Sequence, residues 1–411
     1  MLDVKQINVC RACGDSRLDA VLDLGNLAIS GFPAPGDPPL ARAPLTLIRC
    51  AACTLVQLAH TVDREHLYRT YWYRSATNET MVAALRDVVA NATQRIDLRP
   101  GDRVLDIGCN DGTMLRLYPD WVEKWGFEPA RNLHPANTAG GLHIFCDFFP
   151  PPYRVDARFK VITSIAQFYD EDDPNAYVAR IAGLLAPDGI WVVQFQDIEN
   201  MLAVEGFDNI CHEHLCYYSA GSFAGLLARH GLVIDGCHGV AVNGGSLRAY
   251  VRRARSTDGD WAAGYRRGDV ARFGGVFGGT LERFAAEARS GRHLTRGLLM
   301  SLKADGATIY GYAASTKANT LLQFFGIGPD LVTAFAERSP EKWGRTTATG
   351  IPIVSEDEMR AARPAYLLIG AWQFAEAFAE RERDLLATGT RMIVPLPTLR
   401  VMSAEREAVS A

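Results

Sequence analysis

The feature that most constrains the fold is the stretch GDRVLDIGCNDGTMLRLY at residues 101–118. Val104–Ile107 is a short apolar run that predicts a buried strand, and Gly108–Gly112 predicts a tight turn that opens a helix at Thr113. Glycine lets such a turn approach a ligand closely, and Asp106 is suited to anchor a polar group above the strand end. This order of elements is typical of an α/β protein that binds its ligand at the carboxyl ends of parallel strands.

The turn departs from the dinucleotide pattern G-x-G-x-x-G, because Asn110 and Asp111 stand in its middle. Its form, D-x-G-x-N-D-G, resembles motif I of class I S-adenosylmethionine-dependent methyltransferases, although a structural turn between strand and helix would explain the glycines alone. The resemblance implies that Glu128 accepts hydrogen bonds from the ribose hydroxyls and that Asp147 faces the adenine amine. The expected cofactor-binding residues are Asp106, Gly108, Asn110, Gly112, Glu128, Asp147 and Gln167.

Further apolar runs predict the rest of this sheet. Strands two to seven are predicted at residues 125–128, 144–148, 159–168, 189–195, 233–240 and 246–253. Helical segments separate the first five strands, which predicts a parallel, doubly wound sheet, and the last two are predicted to be antiparallel. Apolar segments at 308–312, 352–354, 365–370 and 392–394 predict a second Rossmann-like sheet that begins after about residue 298.

Four of the nine cysteines form two Cys-x-x-Cys pairs, Cys10 with Cys13 and Cys50 with Cys53. Two such turns complete a tetrahedral set of thiolates for Zn²⁺, with Zn–S bonds of about 2.3 Å. The segment between the pairs is rich in Gly and Pro and too short to hold a core, so a metal is expected to stabilise it. Because cysteine fills all four positions, we expect a structural zinc rather than a catalytic one; free or reducible thiols are the alternative.

Composition and charge exclude several classes of protein. A net charge of −4 and the lack of a long basic run argue against nucleic-acid binding. The N-terminus, MLDVKQINVCRACG, lacks the regions of a signal peptide, and no run of about 18 apolar residues predicts a membrane span. We therefore expect a cytoplasmic protein with no membrane partner.

Residues 209–219, NICHEHLCYYS, contain His212, Glu213 and His214 between two cysteines. Histidines two positions apart lie about 200° apart around a helix, so this is not the one-faced His-x-x-x-His of a zinc protease. One interpretation is an ordinary polar helix. The other is an active-site segment above the carboxyl edge of the sheet, where a histidine would act as a general base near neutral pH and Glu213 would orient it.

Five blocks together resemble the sugar C-methyltransferase family: the paired cysteines, YWYRSATNETM (71–81), CHEHLCYYS (211–219), NGGSLR (243–248) and GYAASTKANTLLQF (311–324). The resemblance runs from residue 10 to about residue 400. It implies a zinc-binding domain at 1–66, a methyltransferase domain at 67–297 and a C-terminal Rossmann-like domain at 298–411 that binds a nucleotide sugar. The implied cofactors are S-adenosylmethionine and structural Zn²⁺.

The resemblance also implies a reaction, the C3-methylation of a 4-keto-6-deoxyhexose linked to thymidine or guanosine diphosphate. A ketone at C4 acidifies the proton on C3, and in this family's pattern His214 is the base that removes it, with Glu213 as its partner. The candidates to stabilise the enolate oxygen are His212, Tyr71 and Tyr73. Related antibiotic-sugar enzymes tend to have tyrosine where Cys211 stands, which leaves the group that stabilises the enolate open.

Two further stretches are candidates for substrate binding. Ser315 and Thr316, with backbone amides at a helix N-terminus and the charge of Lys317, would suit a pyrophosphate, although small residues in such a turn also serve packing. NGGSLR predicts a hairpin turn, while the resemblance favours Asn243 and Ser246 at the sugar. The expected substrate-binding residues are Asn243, Ser246, Ser315, Thr316, Lys317 and Asn319.

The sequence leaves other functions open. An O- or N-methyltransferase, a C-methyltransferase that also epimerises C5, and a zinc-containing binding protein without turnover are the alternatives. The oligomeric state is not determined by these patterns.

Overall fold

The computed structural model describes residues 2–29, 31–71, 73–77, 79–138, 140–242, 245–273 and 278–404. The strands are, in chain order, β1 (Val4–Gln6), β2 (Leu18–Ala28), β3 (Arg42–Cys50), β4 (Val56–Leu58), β5 (His60–Val62), β6 (Arg103–Ile107), β7 (Glu123–Phe127), β8 (His143–Phe145), β9 (Phe159–Ile165), β10 (Leu185–Phe195), β11 (Cys216–Tyr217), β12 (Leu232–Val240), β13 (Ser246–Arg253), β14 (Ile309–Tyr312), β15 (Phe335–Glu337), β16 (Ile353–Ser355), β17 (Tyr366–Ile369), β18 (Arg391–Val394) and β19 (Arg400–Met402). The α-helices are α1 (Arg64–Tyr68), α2 (Glu79–Arg95), α3 (Thr113–Arg116), α4 (His134–Asn137), α5 (Pro174–Leu184), α6 (Ile198–Ala203), α7 (Ala220–Ala228), α8 (Trp261–Phe273), α9 (Gly278–Ala304), α10 (Thr316–Phe325), α11 (Glu356–Ala362), α12 (Ala375–Arg381) and α13 (Arg383–Ala387).

The chain divides into two compact units, each built from three segments. The first unit comprises Met1–Asp19, Ile48–Asn200 and Glu213–Phe277, and the second comprises Ala20–Leu47, Met201–His212 and Gly278–Ala411. The domains predicted from the sequence were continuous ranges. Local patterns of apolar residues do not reveal which distant segments share a core, so the discontinuity was not foreseen.

The first unit contains the predicted methyltransferase sheet. Within the described ranges it has seven strands in the order β12-β13-β10-β9-β6-β7-β8. The strands from β10 to β8 run parallel, whereas β13 is antiparallel to both β10 and β12. The predicted doubly wound sheet is confirmed, and its seventh strand, β13, is antiparallel as predicted. The prediction for the sixth strand is wrong, because β12 pairs antiparallel with β13 and therefore runs parallel to the first five strands. The fourth strand is shorter than predicted, because β9 ends at Ile165 and a 3₁₀ turn at Phe168–Asp170 follows.

Helix α2 covers one face of this sheet. Its buried residues Leu85, Val88, Val89 and Ala92 recur at the spacing of one helix face. They share a core cluster with apolar residues of the strands, including Val104 on β6. This packing fixes the base of the sheet and leaves the carboxyl ends of its strands to carry polar side chains.

The remaining strands of the N-terminal region form two small sheets. Strands β1 and β5 pair antiparallel, and a four-stranded sheet has the order β11-β4-β3-β2 among the described residues. Within the first unit, Cys216 of β11 pairs with Gln57 of β4. The strand that follows the HEH triplet is therefore hydrogen-bonded to the cysteine-rich region.

The second unit contains the predicted second Rossmann-like sheet. Its strand order in the described part of the chain is β16-β15-β14-β17-β18-β19, with only β19 antiparallel to its neighbour. Strands β15 and β19 were not predicted. Among the described helices none combines the length and the apolar character that a membrane crossing requires.

Candidate functional site

The four cysteines of the N-terminal region come together in the first unit. The Sγ atoms of Cys10 and Cys53 are 3.5 Å apart, as are those of Cys13 and Cys50, and all four lie within 4.8 Å of one another. Ligands about 2.3 Å from a tetrahedral Zn²⁺ are about 3.8 Å apart, so the thiols fit this ion. The cluster leaves no ligand position vacant for a substrate. The zinc is structural.

Gln57 connects this cluster to the HEH segment. It is fully buried, donates from Nε2 to the Cys10 Sγ over 3.2 Å and accepts at Oε1 from the backbone N–H of Arg11. Gln57 lies on β4, which pairs with β11, and the neighbouring Leu58 donates its N–H to the carbonyl of Leu215 over 2.9 Å. The metal cluster thus supports the backbone directly after His214.

The turn after β6 has the shape of a ligand cradle. Gly108, Asn110 and Gly112 all adopt left-handed conformations, with φ of 74°, 51° and 79°. A Cβ on Gly108 would lie 2.9 Å from Cγ of Gln167, so only glycine fits this backbone. Glu128 faces the turn and accepts one hydrogen bond at each carboxyl oxygen, from the N–H of Asn110 (2.9 Å) and of Ala130 (2.8 Å).

The carboxyl oxygens of Glu128 retain lone pairs for a further donor, such as a ribose hydroxyl. Burial raises the pKa of Glu128, and backbone hydrogen bonds oppose the shift. On β6, Asp106 is almost fully buried and accepts a 2.7 Å hydrogen bond from Thr163. Burial raises the pKa of Asp106 to about 8. The residues present fit S-adenosylmethionine: a close-approach turn with an acidic side chain at its rim.

Two of the expected cofactor residues have surroundings that the sequence did not reveal. Asp147 is half-buried and accepts from the N–H of Phe148 over 2.8 Å. Gln167 lies against Gly108, donates to Glu171 over 2.5 Å and accepts from Tyr177 over 2.8 Å. Both ends of the Gln167 amide are thus held by the fold, so its contribution to the turn is steric.

The HEH triplet is not helical, so the interpretation of the stretch as a polar helix is wrong. It lies in a turn between a 3₁₀ turn at Phe207–Asn209 and strand β11. The carbonyl of Glu213 accepts a 3.0 Å hydrogen bond from the Tyr68 hydroxyl. The half-buried ring of His214 packs edge-on against Tyr169, with centroids 4.6 Å apart. The triplet is held by side chains from two other parts of the first unit.

The partner of His214 belongs to the segment that borders the glycine turn. Tyr169 is two residues beyond Gln167, which touches Gly108. His214 therefore stands at the carboxyl edge of the sheet, on the same side as the turn after β6.

Partly buried acidic side chains adjoin Tyr169 and His214 in the chain, and of these only Glu213 belongs to a motif recognised in the sequence. Burial raises the pKa of Glu171 to about 8 and raises that of Asp170 as well. One carboxyl oxygen of Asp170 and one of Glu213 are buried and make no hydrogen bond within the described structure. The raised pKa values of Asp170 and Glu171 favour their neutral forms near neutral pH.

His212 differs from His214. It belongs to the second unit, is only 3% exposed, and its Nε2 lies 3.0 Å from the carbonyl oxygen of Ala43 on β3. Cys211, beside it, is also buried. The structure thus gives the ring of His212 a backbone partner within its own unit.

The two candidate tyrosines lie on a segment that crosses the glycine turn. Asn110 donates to the carbonyl of Tyr73 over 3.0 Å, and Asn132 bonds both the N–H and the carbonyl of Tyr71 at 3.0 and 2.8 Å. The side chains of Tyr71 and Tyr73 are 40% and 38% exposed. Burial of its hydroxyl region, with Asp111 adding to the effect, raises the pKa of Tyr73.

Some of the expected substrate-binding residues of the second unit already use their polar atoms in hydrogen bonds within the fold. Ser315 caps α10 by accepting from the N–H of Ala318, and Thr316 is exposed. Asn319 is buried and uses both ends of its amide within the fold, donating to Gly31 and accepting from the N–H of Ala348. Asn319 therefore holds the turn rather than presenting its amide to solvent.

Lys317 lies near a buried carboxyl. Asp208 is fully buried and accepts from Nε1 of Trp372 over 2.8 Å, while its other oxygen makes no hydrogen bond with any described residue. Burial lowers the pKa of Lys317, and the charge of Asp208 opposes this shift. Asn243 lies outside the described residues, and the hydroxyl of the buried Ser246 donates to the carbonyl of Val242 over 3.1 Å.

Comparisons with known proteins agree with the fold and the site. Three domain families match: a domain proposed to bind zinc at residues 10–68, a methyltransferase domain at 77–235 and a C-methyltransferase C-terminal domain at 241–397. The fold, the turn after β6 and the thiol cluster define an S-adenosylmethionine-dependent methyltransferase that contains structural zinc.

The chain is 30% identical to the C-methyltransferase NovU of Streptomyces niveus, over 98% of each protein. The chain belongs to this family of C-methyltransferases.

Solved structures resemble part of the chain. An S-adenosylmethionine-dependent methyltransferase from Clostridium acetobutylicum is 10% identical with a TM-score of 0.35, covering 42% of this chain and 92% of its own. The plantazolicin methyltransferase BpumL, solved with S-adenosylhomocysteine, is 13% identical with a TM-score of 0.35, covering 43% and 87%.

Proposed function

We propose that this C-methyltransferase methylates C3 of a nucleotide-diphosphate-linked 4-keto-6-deoxyhexose and that His214 is the base that forms the enolate. The observation that carries the proposal is the position of His214, which packs on Tyr169 at the sheet edge where Gln167 borders Gly108. An imidazole at this edge would lie beside the methyl donor.

The chemistry requires a base at that point. A sugar carbon that bears only hydrogen and oxygen substituents does not attack an alkylating agent, but a neighbouring ketone acidifies its C–H bond. Bound S-adenosylmethionine supplies the electrophilic methyl group that the resulting carbon nucleophile accepts. Imidazole takes up and releases protons near neutral pH, so His214 suits the removal of the C3 proton.

The surroundings of His214 favour the charged form that proton removal creates. The Tyr68 hydroxyl fixes the backbone of Glu213, and Tyr169 fixes the ring of His214. The carboxyl group of Glu213, adjacent to His214 in the chain, is suited to pair with an imidazolium, whereas burial raises the pKa of Asp170 and favours its neutral form. Glu213 is therefore assigned as the partner of the base.

Stabilisation of the enolate oxygen requires a protonated donor. Tyr73 fits this requirement, because its raised pKa keeps the hydroxyl protonated and Asn110 holds its backbone. Tyr71 is the second candidate, held by Asn132. His212 is assigned a positioning role instead, because its Nε2 faces the carbonyl of Ala43.

In the second unit, the N-terminus of α10 is proposed to receive the diphosphate of the nucleotide. Its backbone amides and the exposed hydroxyl of Thr316 suit an anion, and Lys317 adds positive charge. Ser315 fixes the start of the helix, and Asn319 fixes the turn beneath it. Ser246 and Asn243 are retained as proposed sugar contacts of the first unit on the family resemblance alone.

Exchange and methyl transfer test the role of His214. In deuterium oxide without S-adenosylmethionine, the wild-type enzyme is expected to exchange the C3 proton of a thymidine- or guanosine-diphosphate-linked 4-keto-6-deoxyhexose. With the cofactor it is expected to form a C3-methyl product. In His214→Ala both reactions should fall at least about 100-fold while cofactor affinity stays near wild type. His66→Ala, at an exposed position of the same unit, is the control.

Other outcomes have defined meanings. An O-methyl ether as the only product would refute enolate chemistry, and a methyl group on C5 would move the reaction to the other carbon beside the ketone. Deuterium at C5 of the product would add epimerisation to the activity. A His214→Ala enzyme with wild-type exchange would remove His214 from the mechanism.

Thermal stabilisation by a panel of nucleoside diphosphates tests the role of the second unit. The cognate nucleotide should raise the melting temperature of the wild type and have less effect on Lys317→Met. In Lys317→Met/Asp208→Asn, the buried charge of Asp208 is removed as well, so lost folding and lost binding become separable. Full nucleotide affinity in this double variant would exclude Lys317 from the site.

A further inference from the structure

An arginine-lined cavity lies away from the predicted cofactor turn. Its volume is about 500 Å³, and its lining includes Arg103, Arg154, Arg158 and Arg180, with Asp156 as the only acidic lining residue. Small-molecule sites typically measure about 300–1,000 Å³, so the cavity is large enough for a ligand of modest size. All of these residues belong to the first unit.

The topology places this cavity at the amino-terminal edge of the seven-stranded sheet. Arg103 is the first residue of β6, and residues 154–158 directly precede the first residue of β9. The predicted cofactor residues follow the opposite ends of the same two parallel strands. Five residues of extended strand span roughly 16 Å, so the two sites are separate.

The positive charge of the cavity is only partly compensated within the described chain. Arg103 pairs with Glu123 at 2.5 Å, and Arg154 pairs with Asp156 in an ion pair that is about 80% exposed on both sides. Arg158 has neither a hydrogen bond nor an ion pair with any residue that the structure describes. Two guanidinium groups of the lining are thus matched by carboxylates, and Arg158 is not.

Arg180 adds a second, independent observation. Its Nη2 donates to the backbone carbonyl of Tyr153, but its Nε is buried and has no hydrogen-bond acceptor among the described residues. A buried N–H of a charged group without an acceptor costs free energy, and an anion in the cavity would remove that cost. The planar guanidinium fork is matched in geometry by phosphate and carboxylate oxygens.

We propose that this cavity binds a small phosphate-bearing anion through Arg158 and Arg180. Arg158 and Arg180 are the two guanidinium groups of the lining that no carboxylate of the described residues neutralises. Their positive charge favours a ligand with at least two negative charges, which a diphosphate provides. The site is distinct from the proposed diphosphate contact at Lys317 and does not depend on the methyl-transfer reaction.

Isothermal titration with inorganic pyrophosphate at fixed ionic strength tests the site on the full chain. Binding should weaken about tenfold or more in Arg158→Gln and in Arg180→Gln, because each loses a charge-assisted hydrogen bond. Arg266→Gln removes a charge from an exposed position of the same unit and should bind as the wild type does.

Arg158→Gln is the decisive variant, because the exposed Arg158 supports no described contact and the variant is expected to fold normally. Adenosine diphosphate is compared with pyrophosphate: equal affinity supports a site for the phosphates alone, and tighter binding supports a nucleotide. Absence of pyrophosphate binding at millimolar concentration in the wild type would overturn the proposal. Wild-type affinity in Arg158→Gln would also overturn it.

Discussion

Each of the two compact units contains a strand that leads through a turn into a helix, β6 to α3 in the first unit and β14 to α10 in the second. Each includes an asparagine whose side chain bonds a distant backbone segment. Asn110 is half-buried, accepts from the N–H of Ser75 over 2.9 Å and donates to the carbonyl of Tyr73 over 3.0 Å. It fastens a surface segment that contains a candidate catalytic tyrosine.

Asn319 makes the same pair of bonds in the interior. It is 1% exposed, donates to the carbonyl of Gly31 over 3.0 Å and accepts from the N–H of Ala348 over 2.9 Å. Its partners belong to the fold of the second unit and include none of the predicted catalytic groups. A similar pair of bonds thus holds a surface segment with a candidate catalytic tyrosine in the first unit and an interior segment in the second, and the burial of the asparagine distinguishes the two.

The largest expected effect is on stability, in Asn319→Ala. Removing the amide leaves a part-buried carbonyl and a part-buried N–H without partners, each at the lower end of about 1–3 kcal/mol, so the free energy of unfolding should fall by about 2–3 kcal/mol. Urea unfolding measures this change, and cofactor affinity should stay unaltered. The control is Thr316→Ala, at an exposed position of the same helix. A loss below about 1 kcal/mol would contradict the structural role.

The second prediction concerns Asn110→Ala. Because the side chain positions the Tyr73 segment near the surface, turnover should fall about 10- to 100-fold. The free energy of unfolding should fall by about 1 kcal/mol, less than in Asn319→Ala, because alanine tolerates the φ of 51° at this position less well than asparagine does. Initial rates of methyl transfer and thermal melts measure the two quantities. The matched control is Asn91→Ala on α2, where the amide bonds only Asp87 of its own helix. Equal losses of rate in both variants would refute the comparison.

Asn132→Ala sharpens this test, because Asn132 holds Tyr71 as Asn110 holds Tyr73. A larger loss of rate in Asn110→Ala is expected if Tyr73 stabilises the enolate oxygen. The reverse order would assign that role to Tyr71.

These asparagines also show which features of the fold and the candidate site could be predicted from the sequence. The strands of the first sheet, most strands of the second and the cysteine cluster follow from local patterns, either runs of apolar residues or a fixed spacing of ligands. The role of Asn319 does not, because its partner Gly31 is 288 positions away in the chain. Sequence analysis assigned Asn319 to the substrate, whereas the structure shows both ends of its amide within the fold.

The contacts of His214 could not be predicted from the sequence either. The HEH triplet was recognised, but its contact with Tyr169 and its acidic neighbours depends on the turn at Phe168–Asp170, where the sequence predicted a continued strand. Short 3₁₀ turns have no strong local signal, and burial of a carboxyl is decided by residues far along the chain. The sequence names His214 as the candidate base, whereas it does not reveal the groups that hold this residue.

The third prediction concerns how the stability of the protein depends on pH through the buried carboxyl group of Asp106, which precedes the turn after β6. Burial raises the pKa of Asp106 to about 8 in the folded chain, whereas an unfolded aspartate ionises near 3.9. Between about pH 4 and pH 8 the folded state therefore holds a proton that the unfolded state has released, so the stability of the wild type should fall as pH rises. The slope from this group is at most about 1.4 kcal/mol per pH unit.

Asp106→Asn removes this titration. The stability of the variant relative to the wild type should therefore rise from pH 5 to pH 8, as measured by urea unfolding at several pH values. Asp235→Asn, at an exposed position of the same unit, should leave the pH dependence nearly unchanged. If Asp106→Asn has a pH dependence parallel to that of the wild type, the carboxyl does not retain its proton in the fold.

The smallest expected effect is a change in stability that reflects a difference in backbone conformation between the turn after β6 and the turn after β14. The first turn has glycine at its left-handed position Gly108, whereas the second has Ala313 at φ 67°. An L-residue with a Cβ is disfavoured there by about 1–2 kcal/mol, and glycine regains this while losing about 0.4–1 kcal/mol to the entropy of the unfolded chain. Ala313→Gly should therefore stabilise the protein by about 0.5 kcal/mol.

The control is the adjacent Ala314→Gly, at a buried position without positive φ, which should destabilise the protein by about 0.5–1 kcal/mol. Thermal melts of the two variants should shift in opposite directions, and a shift of the same sign in both would mean that Ala313 is not strained.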